Sequence, residues 1–196
     1  MRIFTVHGSP DKEGNSASLL NACIAGMKTV EGVEVESINI YDYEIEPVWK
    51  DYFGDVMQKL TDKVKDDMPA LRAKMLTADI TLLASPIYWY HLSGKMKLFL
   101  DRWTDMMNPD WSTELKGKGL ALLSTHSGIH LMNSSDLLHL SMTSTADFLG
   151  MNWMGAVSGR AHMPWDWDDE LSIKQAEHFG AKLAKGINLI GQKVIG

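Results

Sequence analysis

A chain of 196 residues carrying 19 basic and 25 acidic side chains, for a net charge of −6, is expected to fold as one domain spanning 1–196, with room for a substantial core. The acidic balance argues against nucleic acid or an anionic membrane as the main partner. The lone cysteine, Cys23, leaves no intrachain disulfide, Cys-ligated zinc site or Cys-ligated iron–sulfur cluster to be built.

The chain opens on a short apolar run at 2–7, followed by GSPDKEGNSAS at 8–18. A helix is predicted over 16–29, with Leu19, Leu20, Cys23, Ile24 and Met27 on one face and Asn15 as N-cap. Cys23 sits among these apolar residues and reads as a buried, inert thiol. Residues 33–40 (VEVESINI) alternate apolar and polar side chains, the pattern of a sheet-edge strand.

An ordered excursion follows at 41–64, rich in aromatics (Tyr41, Tyr43, Trp49, Tyr52, Phe53) and punctuated by Pro47 and Gly54. A helix is predicted over 66–78, started by Asp66 and Asp67, and a buried strand over 79–85, ended by Pro86. From Ser93 the spacing of Met96, Phe99, Leu100 and Trp103 forms an apolar helical stripe, with Lys97 and Asp101 four apart on the wet side. Residues 119–124 form another buried strand, 134–150 a helix, 152–158 a short strand and 168–190 a final helix. No apolar run approaches a membrane span and no signal peptide is visible, so a cytoplasmic location is expected.

Strands alternating with helices in this order predict a parallel sheet covered on both faces. Ligands of such sheets bind outside the carboxyl ends of the strands. Three loops, at 8–18, 85–94 and 124–130, each follow a predicted strand and can converge on one crevice. The first is a glycine-bearing turn into a helix start, which suits an anion, with Ser9, Asn15, Ser16 and Ser18 as further donors and Lys12 as its one full positive charge. It contains neither GxxxxGK[ST] nor GxGxxG, which argues against a P-loop nucleotide hydrolase and a dinucleotide fold.

The second loop, SPIYWYHLSG, sets Tyr88, Trp89 and Tyr90 in a row. These suit a platform for a planar ligand whose polar edge meets the loop's N–H groups, or an oligomer contact, or both. The third, STHSGIH, offers Thr125, Ser127 and the N–H groups near Gly128 to a carbonyl-rich edge. His126 and His130 are four apart and would share one face of a helix, but no further carboxylate or cysteine at a ligand spacing accompanies them, so no metal site is expected.

GSPDKEGNSASLL resembles the GSPRxxGNTxxLL loop of the NADPH-dependent FMN reductase family, the flavodoxin-like quinone and flavin reductases. ASPIYWYHLSGKMKLFLDRW is similar to that family's flavin-ring loop and following helix, often (S/T)PxYWxxxSxxxKxFxDR, and LKGKGLALLSTHSG to its third loop. The matched segments span most of residues 2–128 in the family's order. The resemblance implies an α/β, flavodoxin-like, doubly wound five-stranded parallel sheet of order 2-1-3-4-5. It also implies FMN as cofactor and NADPH or NADH as electron donor.

Carried over, Ser9, Asn15, Ser16 and Ala17 would hold the FMN phosphate. Pro86, Ile87, Tyr88 and Trp89 would line the isoalloxazine, and Thr125, Ser127 and Gly128 would meet its other edge. Where the family often has Arg after the first proline, this chain has Asp11, so either Lys12 substitutes or the backbone alone binds the phosphate. Iron–sulfur relatives place cysteines in the excursion, where this chain has Val48, Trp49 and Tyr52, so no cluster is expected there. Asp101 and Arg102 match the family and read as structural, pairing helix to sheet.

The expected function is hydride transfer from NAD(P)H through FMN to a quinone, nitro- or azo-aromatic or flavin acceptor. No side-chain acid or base is indispensable to it, though Tyr88, Tyr90 or His126 could protonate a product. The alternatives are a flavodoxin-type electron carrier and a non-catalytic flavodoxin-like binding module. A homodimer or homotetramer is expected, built on the aromatic loop and the 103–111 region, and the Trp-rich segment at 163–168 could close over a neighbour's site.

Overall fold

The computed structural model describes residues 1–48, 65–127, 134–160 and 169–195. Its centre is β3 (Ile80–Pro86), which pairs in parallel with β1 (Arg2–His7) on one side and β4 (Gly119–His126) on the other. β2 (Glu34–Asn39) and β5 (Asn152–Arg160) complete a five-stranded sheet of order 2-1-3-4-5. β3 and β4 are buried along nearly their whole length, as strands covered on both faces must be, whereas edge strand β2 keeps the polar alternation of its sequence.

Two apolar layers flank this sheet, with alternate residues of each strand feeding opposite faces. Phe4, Val6, Leu83 and Leu122 pack against α2 (Met68–Thr77), α3 (Gly94–Asp101) and α4 (Ser134–Phe148). Ile3, Leu82, Ala84 and Leu123 pack against α1 (Asn15–Lys28) and α5 (Glu170–Leu183). Each such buried large side chain contributes roughly 1.5–3 kcal/mol. α1 and α5 touch backbone to backbone. A Cβ on Gly26 would lie 1.8 Å from the Glu177 carbonyl oxygen, and one on Gly180 would lie 1.9 Å from that of Cys23. Burial between these helices pushes the Cys23 thiol up to about 12.

Several local expectations are corrected. α1 starts one residue early, so Gly14 is the N-cap and Asn15 its first helical residue. A Cβ on Gly14 would sit 2.7 Å from Asp11 Oδ2, so a side chain there would have to displace that carboxylate. The final helix stops at Leu183, well before residue 190, because Gly186 takes φ +67° and the chain turns back to bridge Ile187 with Lys193. β4 runs on through Thr125 and His126, so the helical premise for His126 fails, and His130 lies outside the described residues. β5 extends to Arg160 across a bulge, where Gly155 at φ +108° lets Leu189 approach.

Arg102 is structural but does not join helix to sheet. It bonds the buried carboxylates of Asp66 and Asp105 and the Glu46 carbonyl (2.8 Å), while Asp101 pairs with Lys97. With Glu44 N–H donating to Asp67 (2.7 Å) and Glu46 N–H to Asp66 (3.0 Å), these groups tie residues 44–46 to the start of α2. Aromatic positions 49, 52 and 53 of the excursion lie outside the described residues. Trp103, the last residue of the predicted apolar stripe, is 2% exposed and packs edge-on to Phe99 at 5.8 Å, so of the 103–111 region expected to offer oligomer surface it is Trp111 that is exposed. Among the described residues, no helix is long and apolar enough to cross a membrane.

Candidate flavin site

Register aligns the strand ends: His7 lies beside Asn39 and Ala84, and Pro86 beside Thr125. The loops leaving β1, β3 and β4 therefore start from one rim, and hydrogen bonds then join them. Gly8 N–H donates to the Ala84 carbonyl (2.7 Å), the buried Ser93 hydroxyl to the Gly8 carbonyl (2.6 Å), and Ile87 N–H to the Thr125 carbonyl (2.8 Å). Ser85 Oγ accepts from Ser93 N–H (3.0 Å), closing the second loop on its own strand.

In the first loop, Asp11 stands where the family often has Arg, its exposed carboxylate accepting from Glu13 N–H at 3.0 Å. Ser9 is buried and its hydroxyl accepts from Asp11 N–H at 3.2 Å. Lys12 is engaged elsewhere, bonding both oxygens of Asp42 at 2.7 and 2.8 Å on the exposed surface. The cationic candidate of the loop is thus paired with a carboxylate at the surface, and the helix end offers a second group of donors to an anion. The first bond of α1 runs from Ser18 N–H to the Gly14 carbonyl (3.0 Å), no side chain caps the helix, and its first turn holds no acid. The N–H groups of Asn15, Ser16 and Ala17 are left to point outward, where the helix dipole favours an anion.

The second loop is a two-residue turn: Tyr88 N–H donates to the His91 carbonyl and His91 N–H to that of Tyr88, both at 3.0 Å. Its central residues are Trp89 at φ 51° and Tyr90 at φ 65°, a left-handed pair usually filled by Asn-Gly. Holding two bulky side chains there costs roughly 1–2 kcal/mol apiece and presents Trp89 at 95% exposure. The Ile87 and Tyr88 N–H groups are consumed by backbone bonds, to the Thr125 and His91 carbonyls. Among the described residues, the N–H groups of Trp89 and Tyr90 remain for a ligand edge. His91 anchors the turn, its Nδ1 accepting from Leu92 N–H (2.9 Å) and its Nε2 reaching Ser141 of α4 (3.4 Å).

At the third loop Thr125 is buried at the end of β4, Ser127 is exposed, and Gly128 lies outside the described residues, as does the segment at 163–168. Among the described residues the buried Nδ1 of His126 has no hydrogen-bond partner, and burial together with Arg160 lowers its pKa. A neutral imidazole with an unpaired ring nitrogen at this rim is able to bond a ligand. Beneath it, Ser124, Ser158 and His139 form a polar ladder, with Oγ–Oγ at 2.6 Å and Nε2–Oγ at 2.9 Å. Sequence patterning could not have found this ladder, because its members come from three elements.

An uncapped helix end, an aromatic turn and an orphaned imidazole on one rim of a 2-1-3-4-5 sheet define a flavodoxin-like protein whose ligand has an anionic tail and a flat, polar-edged head. The model of the NADPH-dependent FMN reductase family matches residues 1–162, and the chain belongs to that family. FMN is accordingly its cofactor and a reduced nicotinamide its electron donor. It is 27% identical over 172 residues to the Bacillus subtilis protein named "Putative NAD(P)H-dependent FMN-containing oxidoreductase YwqN", covering 85% of this chain and 88% of that one. An iron–sulfur flavoprotein of Methanocaldococcus jannaschii is 26% identical over 198 residues, covering 97% and 99%. Among solved structures, the FMN-dependent NADH-azoreductase of Bacillus anthracis in complex with FMN superposes with a TM-score of 0.71 at 15% identity, covering 93% of this chain and 99% of that one.

Proposed function

We propose that the chain passes reducing equivalents from NAD(P)H to a planar aromatic acceptor: a quinone, a nitro- or azo-aromatic, or a free flavin. When bound, FMN supplies the hydride-accepting and hydride-donating chemistry. The protein's part is to hold, orient and tune. Asn15, Ser16 and Ala17 N–H groups would bind the phosphate, with Ser9 shaping the loop beside them. Pro86, Ile87, Tyr88 and Trp89 would line the ring, the Trp89 and Tyr90 N–H groups would meet its polar edge, and Thr125, Ser127, Gly128 and His126 would stand at the opposite edge. Donor and acceptor would then use the open face in turn, positioned against the same surface.

The observation that carries this proposal is the pair of bonds, Ser93 to Gly8 and Ile87 to Thr125, that fastens three strand-end loops into one rim. Exposed Trp89, Trp111 and Phe148 support assembly as a homodimer or homotetramer, since large apolar side chains are costly to leave in water. The test is an absorbance spectrum of the purified protein before and after anaerobic NADPH, followed by NADPH oxidation with a quinone present. A yellow protein that bleaches and then turns over steadily supports the enzyme. One that bleaches without turnover is an electron carrier, and a colourless protein that cannot be reconstituted with FMN is a binding module.

A further inference from the structure

His7 takes no part in the proposed flavin contacts, yet it is buried at the end of β1 between the edge strand and the first turn of α1. Its surroundings leave one arrangement of protons. Tyr41 N–H donates to Asn39 Oδ1 at 2.9 Å, which fixes the orientation of the Asn39 amide and turns its NH2 toward β1. That NH2 has two hydrogens and two acceptors within reach, the Ser9 carbonyl at 2.8 Å and His7 Nδ1 at 3.2 Å. An amide NH2 only donates, so Nδ1 must offer its lone pair. Burial lowers the His7 pKa, against a weaker opposing pull from Asp11, and the ring is neutral at pH 7. A neutral ring with a bare Nδ1 carries its proton on Nε2, and Nε2 lies 2.8 Å from Ser16 Oγ.

We propose that His7 is a positioning residue for the FMN phosphate: by donating Nε2–H to Ser16 Oγ, it leaves the Ser16 hydroxyl proton free to donate to a phosphate oxygen at the start of α1. The opposite tautomer would take the serine's proton and turn an oxygen lone pair toward the anion. Asn39 excludes that tautomer, and Asn39 is itself locked by backbone groups of Ser9 and Tyr41. The edge strand thereby sets the polarity of a side chain on α1. Hydrogen bonds to a charged acceptor are the stronger kind, so the polarity of this one hydroxyl is worth about tenfold in affinity.

This inference rests on the phosphate assignment at α1, and the test separates the two. Flavin fluorescence titration of the native chain with FMN and with riboflavin, which lacks the phosphate, gives the discrimination due to the phosphate site. Native protein that binds both equally overturns the phosphate assignment and the role of His7 with it. With native discrimination established, His7→Phe should weaken FMN by about tenfold and leave riboflavin unchanged. His7→Gln, which keeps an N–H donor, should restore FMN binding. Ser16→Ala should match His7→Phe, and the double variant should lose no more than either single one. Equal loss of both flavins in His7→Phe, or additive losses in the double variant, overturns the proposal. Should His7→Phe fail to fold, the ring tautomer of the native chain decides, read from long-range 15N–1H NMR: protonated Nε2 supports the relay, protonated Nδ1 overturns it.

Discussion

The Ser93 hydroxyl donates to the Gly8 carbonyl at 2.6 Å, so the loop after β3 closes the loop after β1 across a sequence separation of 85 residues. Both groups are buried, and Gly8 has no side chain because a Cβ there would lie 2.7 Å from the end of Met96 and 3.3 Å from the Ser93 hydroxyl itself. Ser93→Ala leaves that carbonyl without its partner, at a cost of about 1–3 kcal/mol. It should lower the urea midpoint and weaken FMN binding together, measured by unfolding and by flavin titration. Unchanged FMN affinity in a destabilised variant would separate the two loops functionally.

The strained turn gives a second expectation. Replacing Trp89 with Asn and Tyr90 with Gly suits the left-handed pair at φ 51° and 65°, and should raise stability by roughly 1–2 kcal/mol at each position. Since the aromatic surface goes with it, turnover with quinone or azo acceptors should fall. Thermal unfolding and steady-state assays on the same preparation check both signs. A variant no more stable than the native chain would show that the strain is relieved elsewhere.

Helix contact supplies a third. Gly26→Ala and Gly180→Ala each drive a methyl into opposing backbone, at 1.8 and 1.9 Å, and α1 and α5 must separate to admit it. A loss of about 3 kcal/mol or more is expected, at the upper end for overpacking. At Gly94 an added Cβ meets nothing within 4 Å, so Gly94→Ala should be neutral or slightly stabilising. Calorimetric midpoints of the three variants test the contrast.

Acidification is the fourth. Burial is the largest cause lowering the pKa of His7, His91, His126 and His139 from the ordinary 6.5. The unfolded chain therefore binds more protons than the native one in the window just below pH 6.5, and stability falls as pH drops through it. Thermal midpoints should decline from pH 7.5 toward pH 5.5, and His139→Gln should flatten part of that decline. A midpoint that holds or rises over this range would mean that the native rings take up protons as readily as the unfolded ones.

Element order, the parallel sheet and the approximate bounds of most helices and strands were legible because each is a local pattern. Apolar runs such as 80–86 need burial on two faces, alternation at 34–39 needs one wet side, and Leu19, Leu20, Cys23 and Met27 recur at the helical period. The loops were legible as donors and platforms for the same reason: glycine at a strand end and three successive aromatics are exceptions that a solvated turn does not require. Local patterning failed wherever a distant partner decided the outcome. The last helix stopped short of 190 because the chain turns back at Gly186 and pairs Ile187 with Lys193. Arg102 found Asp66, 36 residues away in sequence, in preference to its neighbour Asp101.

By itself, then, the sequence determined which residues could form strands, helices and ligand-facing turns, since backbone preference and hydrophobic period act over a few residues. Tertiary structure alone decided the proton on His7, the engagement of Lys12 by Asp42, the loss of the Ile87 and Tyr88 donors, and the orphaned nitrogen of His126. Each of those depends on which groups meet across strand ends, and hydrogen bonds are directional and short enough that register, not composition, assigns them.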